Sequence, residues 1–290
     1  MSIINKIRKL SLISLNLQNF IFCTKYIFIF SHMRSRSSVL SHILGSNPEI
    51  CGYSELGISY LDYIDLMRMK IDLTVDLKCS FNNKYLLDKV LHNYYEFPEK
   101  IFKVTKPKII FLLREPENTI KSIVNLGFIA NIECYKDPIY ALDYYCSRLK
   151  LLEEYSKLFP CEYFFIESDD LIKNPDFILE NLSRWLNLNK ALDKNYSIFN
   201  NTGIFGKGDP SQNIKSGILK ESRNYSDIKI PLEVLQIGKS AYEKCKDSLM
   251  KKPTTNRQGI ETDLFEQTIL HSKIPFYEIN PCQIQNLKDI

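Results

Sequence analysis

Glycine is scarce in this 290-residue chain, at 10 positions, and four of those fall between 203 and 217. That scarcity excludes collagen-like, linker-rich and low-complexity architectures. Metal-ligand spacing is missing as well: the eight cysteines (23, 51, 79, 134, 146, 161, 245, 282) form no Cys-x-x-Cys pair, and no histidine stands at zinc-ligand spacing. Reduced, mostly buried thiols and no metal are therefore expected. No apolar run approaches the roughly 18 residues that a spanning helix needs. Asn16, Gln18 and Asn19 interrupt the uncharged stretch 10–24 that follows Lys6, Arg8 and Lys9. A cytoplasmic, amphipathic lead-in over residues 1–24 is expected in place of a secretion signal. Neither sign of charge dominates: 38 Lys plus Arg against 34 Asp plus Glu leave +4, so bulk charge argues against a nucleic-acid partner. Any anion must be held by local groups.

What the chain does have is core material, with 44% hydrophobic residues and 17 each of Phe and Tyr. Tyr26-Ile-Phe-Ile-Phe30, Lys108-Ile-Ile-Phe-Leu-Leu113 and Glu162-Tyr-Phe-Phe-Ile-Glu167 are near-continuous apolar runs, as in strands buried on both faces. Between them, 138–159 reads as a helix, with Ile139, Leu142, Tyr145, Cys146, Leu149 and Leu152 at spacings of three and four. A second helix opens with Asn174 as cap and Pro175 at its first position, and carries the stripe Ile178, Leu182, Trp185 and Leu186. Alternating strands and helices predict an α/β fold, P-loop-like and three-layered, with a central parallel sheet flanked by helices. The expected domain spans 25–250, with a glycine-bearing loop at 203–217 and a C-terminal appendage over 251–290; no internal repeat is visible.

The strongest local signal follows the first strand: Phe30-Ser-His-Met-Arg-Ser-Arg-Ser-Ser-Val-Leu-Ser-His-Ile-Leu-Gly45. A polar basic loop leads into a helix beginning near Ser37 or Ser38, with Gly45 as its C-terminal cap and Pro48 beyond it. Backbone N–H groups, the helix dipole and serine hydroxyls make such a loop an anion cradle for phosphate or sulfate. Neither Gly-x-x-x-x-Gly-Lys-[Ser/Thr] nor a Gly-x-Gly-x-x-Gly after a strand is present, which argues against the usual kinase and dehydrogenase loops.

Met33-Arg-Ser-Arg-Ser-Ser-Val-Leu40 resembles the 5'-phosphosulfate-binding loop of sulfotransferases that use 3'-phosphoadenosine 5'-phosphosulfate, in particular the bacterial and protein-tyrosine branch. The resemblance implies donor contacts from Arg34, Ser35, Arg36, Ser37 and Ser38. Arg36 stands where that family has glycine, so it either adopts the glycine-like backbone or projects as an added cation. Ile110-Phe-Leu-Leu-Arg-Glu-Pro-Glu-Asn-Thr-Ile-Lys-Ser-Ile-Val124 is similar to the family's 3'-phosphate segment, which implies Arg114 and Ser122 as contacts. Phe164-Phe-Ile-Glu-Ser-Asp-Asp-Leu is a third likeness, although Ser168 replaces the usual tyrosine and no adenine contact transfers to it. Lys215, in the late glycine-bearing loop, is a candidate phosphate clamp. The resemblance covers roughly residues 25 to 220.

A hydroxyl acceptor needs a base within reach. Glu55, in Asn47-Pro-Glu-Ile-Cys-Gly-Tyr-Ser-Glu55, occupies a segment resembling the one that carries the family's catalytic glutamate; His32, His42 and His92 are the rivals. The function implied is in-line sulfuryl transfer, with Arg34 stabilising the leaving group and no metal involved. A P-loop nucleotide-binding kinase or hydrolase, and a non-catalytic nucleotide-binding relative, are the alternatives. The acceptor is open among small phenols, saccharides, lipids and peptide tyrosine, and oligomeric state is not legible.

Overall fold

The computed structural model describes residues 25–251 other than 79, 159–161, 207 and 221–224, together with 11, 14 and 17–21. Most of the expected lead-in and the appendage beyond 251 lie outside the described residues, as do Phe159, Cys23, Cys79, Cys161 and Cys282.

In chain order the elements are α1 (Gln18–Ile21), β1 (Lys25–Ser31), α2 (Ser37–Gly45), β2 (Ile50–Cys51), α3 (Tyr63–Leu77) and β3 (Tyr85–Val90). Then come α4 (Glu99–Thr105), β4 (Lys108–Leu113), α5 (Pro116–Ala130), α6 (Glu133–Lys136), α7 (Pro138–Leu158) and β5 (Tyr163–Glu167). The described part closes with α8 (Ser168–Lys173), α9 (Pro175–Leu186), a 3-10 turn (Gln212–Ser216) and α10 (Leu232–Met250). The strands lie in the order β2-β3-β1-β4-β5, and every pairing is parallel.

Successive residues of a strand face opposite sides of the sheet, and β1 shows what each side packs against. Tyr26, Phe28 and Phe30 enter a core shared with Leu66 and Met69 of α3, Phe102 of α4, Leu149 and Leu152 of α7 and Cys245 of α10. Ile27 and Ile29 enter another, with Leu40 and Ile43 of α2, Leu171 of α8 and Leu179 and Leu182 of α9. Both faces of the sheet are thus covered, as a parallel sheet requires, and the expected three-layer α/β arrangement is the one observed. Among the described residues no helix is long and apolar enough to cross a membrane. No disulfide forms among them either, and Cys51 and Cys245 are buried.

Two expected helix caps are corrected. Asn174 precedes α9, yet its side chain makes no capping bond, and Pro175 alone marks the start. Gly45 is the last residue of α2, and the cap position belongs to Ser46. Its glycine character serves packing: a Cβ there would lie 2.3 Å from the Gly52 carbonyl oxygen. Gly52, at φ 130°, would in turn place a Cβ 2.1 Å from the Leu87 carbonyl oxygen. The two glycines press the segment that leads to Glu55 between α2 and β3.

Candidate functional site

In this strand order β1 lies at the middle of the sheet, where connections to one side give way to connections to the other. Such a point opens a crevice at the carboxyl ends of the strands. Arg34 follows β1 and Arg114 follows β4, so both arginines arise at that crevice. His32 fixes them in place: its Nδ1 pairs with the Met33 carbonyl at 2.9 Å, and its Nε2 takes the Arg114 backbone N–H at 3.1 Å. Burial lowers His32 to about 3, so it is neutral and both ring nitrogens are engaged, an arrangement that is structural.

The loop between β1 and α2 is wound tightly. Arg34 (φ 62°) and Arg36 (φ 70°) both occupy the left-handed region, which costs of order 1 kcal/mol or more for a non-glycine residue. Arg36 therefore adopts the glycine-like backbone, and its side chain turns away as well. Its Nη1 donates to Ser168 Oγ at 2.8 Å and pairs with Asp169 Oδ1 at 2.6 Å, tying the loop to α8. Ser35 is fully buried, its hydroxyl 2.6 Å from that of Ser31. Ser37 and Ser38 are buried in the first turn of α2.

The two arginines meet. Arg114 Nη1 donates to the Arg34 carbonyl at 3.1 Å, while Arg34 Nε donates to Ser122 Oγ at 2.9 Å. Ser122 Oγ lies 3.0 Å from the hydroxyl of Tyr225. Arg114 is 4% exposed; burial, and then the nearby Arg36 guanidinium, lower it to about 10, which leaves it a cation at neutral pH. Arg34, Arg114 and Ser122, 88 residues apart at their widest, thus form one cluster of donors.

Lys215 is not part of it. That residue is exposed on the 3-10 turn, with its stem against Gly203. The late loop does reach the cradle, but through an acid: Asp209 N–H donates to Ser38 Oγ at 2.9 Å, and Asp209 Oδ1 pairs with Arg34 Nη1 at 3.1 Å. Burial works to raise the Asp209 carboxyl, but Arg34 and the N–H and hydroxyl of Ser211 outweigh it and hold the group below its ordinary value.

Lys89, which the pattern reading passed over, is a further site residue. The strand Tyr-Leu-Leu-Asp-Lys-Val holds two adjacent charges, and the pleat sends them to opposite faces. Lys89, 1% exposed, directs Nζ to Ser38 Oγ at 3.2 Å; burial lowers its pKa, and Glu55, Asp88 and Asp209 act against that. Asp88 accepts the N–H of Leu56 at 3.0 Å and the Tyr60 hydroxyl at 2.6 Å. The backbone beside Glu55 is thereby tied to β3. Burial raises Asp88 to about 7.

Glu55 lies between these charges and an aromatic group. His92 Nε2 is 3.6 Å from Glu55 Oε1, beyond hydrogen-bond range. Burial, aided by Arg148, lowers His92 to about 3, so the contact is not an ion pair. The His92 ring stacks on Tyr94 at 4.9 Å. His42 is engaged at both nitrogens, with the Ser38 carbonyl at 2.7 Å and Thr202 Oγ1 at 2.9 Å, and burial lowers it to about 4. Burial thus collapses the proton affinity of all three rival histidines, His32, His42 and His92.

Beneath the crevice, Arg148 of α7 is fully buried. Its Nε donates to the Ser31 carbonyl at 2.8 Å, Nη2 to that of Val90 at 2.5 Å and Nη1 to that of His92 at 3.3 Å. One guanidinium therefore ties the carboxyl ends of β1 and β3. The signal was present, because Arg148 shares the face that buries Tyr145 and Leu152.

No protein-family model and no curated protein matches the sequence. Solved structures do. The sulfotransferase domain from the curacin biosynthetic pathway superposes with a TM-score of 0.51 at 18% identity, over 77% of this chain and 98% of that one. The sulfotransferase domain of the olefin synthase from Synechococcus PCC 7002 gives 0.51 and 18%, over 76% and 96%. The fold is sulfotransferase-like. At such identity the likeness is one of backbone, and within this sulfotransferase-like fold the roles of Arg34, Arg114, Lys89 and Glu55 rest on the geometry of the chain itself.

Proposed function

We propose that the protein is a cytoplasmic enzyme that moves a sulfuryl group from 3'-phosphoadenosine 5'-phosphosulfate to a hydroxyl acceptor, with Glu55 as the base. The observation that carries this reading is the junction of Arg34 and Arg114, which sets the donors of the α2 N-terminus beside those of the β4 end. Two guanidinium groups, the Lys89 ammonium and Ser122, with Asp209 as the acid among them, fit a nucleotide bearing anions at both its 3' and 5' ends.

In this reading Arg34, Lys89 and the first N–H groups of α2 hold the charge that builds on the departing phosphate oxygen, while Arg114 and Ser122 hold the 3'-phosphate. Glu55 takes the proton of the acceptor hydroxyl as its oxygen bonds to sulfur and the bond from sulfur to the phosphate oxygen breaks. Positioning and charge stabilisation suffice for in-line transfer of this kind, and the reading calls for no metal.

Glu55→Gln lowers the transfer rate by on the order of a hundredfold or more and leaves the affinity for 3',5'-adenosine bisphosphate unchanged. Sulfur-labelled donor with a panel of phenols, saccharides, lipids and tyrosine peptides measures the first, and calorimetry the second. A full rate in the variant removes Glu55 as base; no heat from the wild type with the bisphosphate removes the donor. A second expectation concerns the acid on Arg34. Asp209→Asn tightens bisphosphate binding several-fold, because the carboxylate competes with phosphate for the same guanidinium. Weaker binding in that variant would instead mean that Asp209 orients Arg34 for the nucleotide.

A further inference from the structure

The donor cluster contains a hydroxyl that no step above uses. Tyr225 is 7% exposed, its Oη lies 3.0 Å from Ser122 Oγ, and its hydroxyl is close enough to Arg114 to influence that guanidinium. Ser122 Oγ also accepts the N–H of Arg34 Nε at 2.9 Å. Two hydroxyl groups carry two protons, and their mutual bond uses one. Whichever oxygen donates, one proton remains, and among the described residues it has no acceptor. A buried O–H of this kind, set beside two arginine side chains, finds in a phosphate group the acceptor that the described residues do not offer.

We propose that Tyr225 completes the second phosphate site with Arg114 and Ser122, and is the residue by which the protein distinguishes an adenosine with phosphates at both 3' and 5' from one with a 5'-phosphate alone. The inference rests on the donor reading above and adds a residue from a different part of the chain, 103 positions from Ser122.

Calorimetry on the full chain tests it, with wild type and Tyr225→Phe each titrated with 3',5'-adenosine bisphosphate and with adenosine 5'-monophosphate. The phenyl ring keeps the packing and removes only the hydroxyl. Loss of one hydrogen bond to a charged group weakens bisphosphate binding by about tenfold, and the monophosphate affinity stays as in wild type, which also shows that the variant is folded. If the variant still prefers the bisphosphate by the wild-type margin, or loses affinity for both nucleotides alike, the role of Tyr225 is overturned while the donor reading stands. A wild type that binds the bisphosphate no better than the monophosphate overturns the donor reading, and the tyrosine assignment with it.

Discussion

On the proposed function, replacement of Arg34 by alanine reduces sulfuryl transfer by about a hundredfold to a thousandfold, the usual loss when a charge-stabilising donor is removed from a transfer site. The side chain reaches Ser122 and Asp209, so its loss strips a cation from the crevice and removes the ion pair that Arg34 makes with Asp209. The fold tolerates the change. Residue 34 sits at φ 62°, where alanine and arginine carry a similar backbone cost, and the carbonyl that receives Arg114 is main chain. The effect therefore belongs to chemistry rather than stability. Initial rates with labelled donor, set beside thermal unfolding of both proteins, separate the two; a variant rate within a few-fold of wild type would sink the assignment.

Arg148→Met has the largest expected effect on stability. Its guanidinium satisfies carbonyls of Ser31, Val90 and His92, and a buried acceptor left without its donor costs about 1–3 kcal/mol. Relief of a buried cation works the other way, since burial already disfavours the charged form of Arg148. The His92 carbonyl keeps the Tyr95 N–H, but the donors lost at Ser31 and Val90 outweigh that relief, giving a net loss of about 2–3 kcal/mol, in line with what breaking a buried charged contact costs elsewhere. Arg148→Lys does not restore it, because one ammonium cannot span acceptors on two strands as a planar fork does. Urea midpoints measure this, and a lysine variant as stable as wild type would refute the account. On the proposed function, transfer falls in step, because β1 and β3 end at the loop that carries Arg34 and at Lys89.

The parts of the fold that were legible in the sequence have a common physical origin. β1, β4 and β5 are covered on both faces, so they read as unbroken apolar runs. β3 is covered too, but Asp88 and Lys89 interrupt its run because they serve the site, and β2 is two residues long. Arg34, Arg36 and Arg114 were visible because each lies just beyond a recognisable strand, and Ser122 because it stands in the segment after β4 whose resemblance implied it. The side chain of Arg36 went elsewhere, since nothing local foretold Asp169, 133 residues away. Lys89 and Asp209 meet Ser38 across 51 and 171 residues, and Tyr225 meets Ser122 across 103. Periodicity within a window of one or two turns carries no information about such partners. Lys215 and Asp209 show the same limit from the other side: the loop was identified, but which of its side chains turns inward is decided by tertiary packing.

The Asp209 pairing has a consequence for how the crevice fills. On the proposed function, a resting site that carries its own counter-ion takes up a phosphorylated ligand by exchange, one anion leaving Arg34 as another arrives. Apparent affinity is then the difference between two ion pairs, and stray inorganic anions must displace a tethered carboxylate before they gain a foothold.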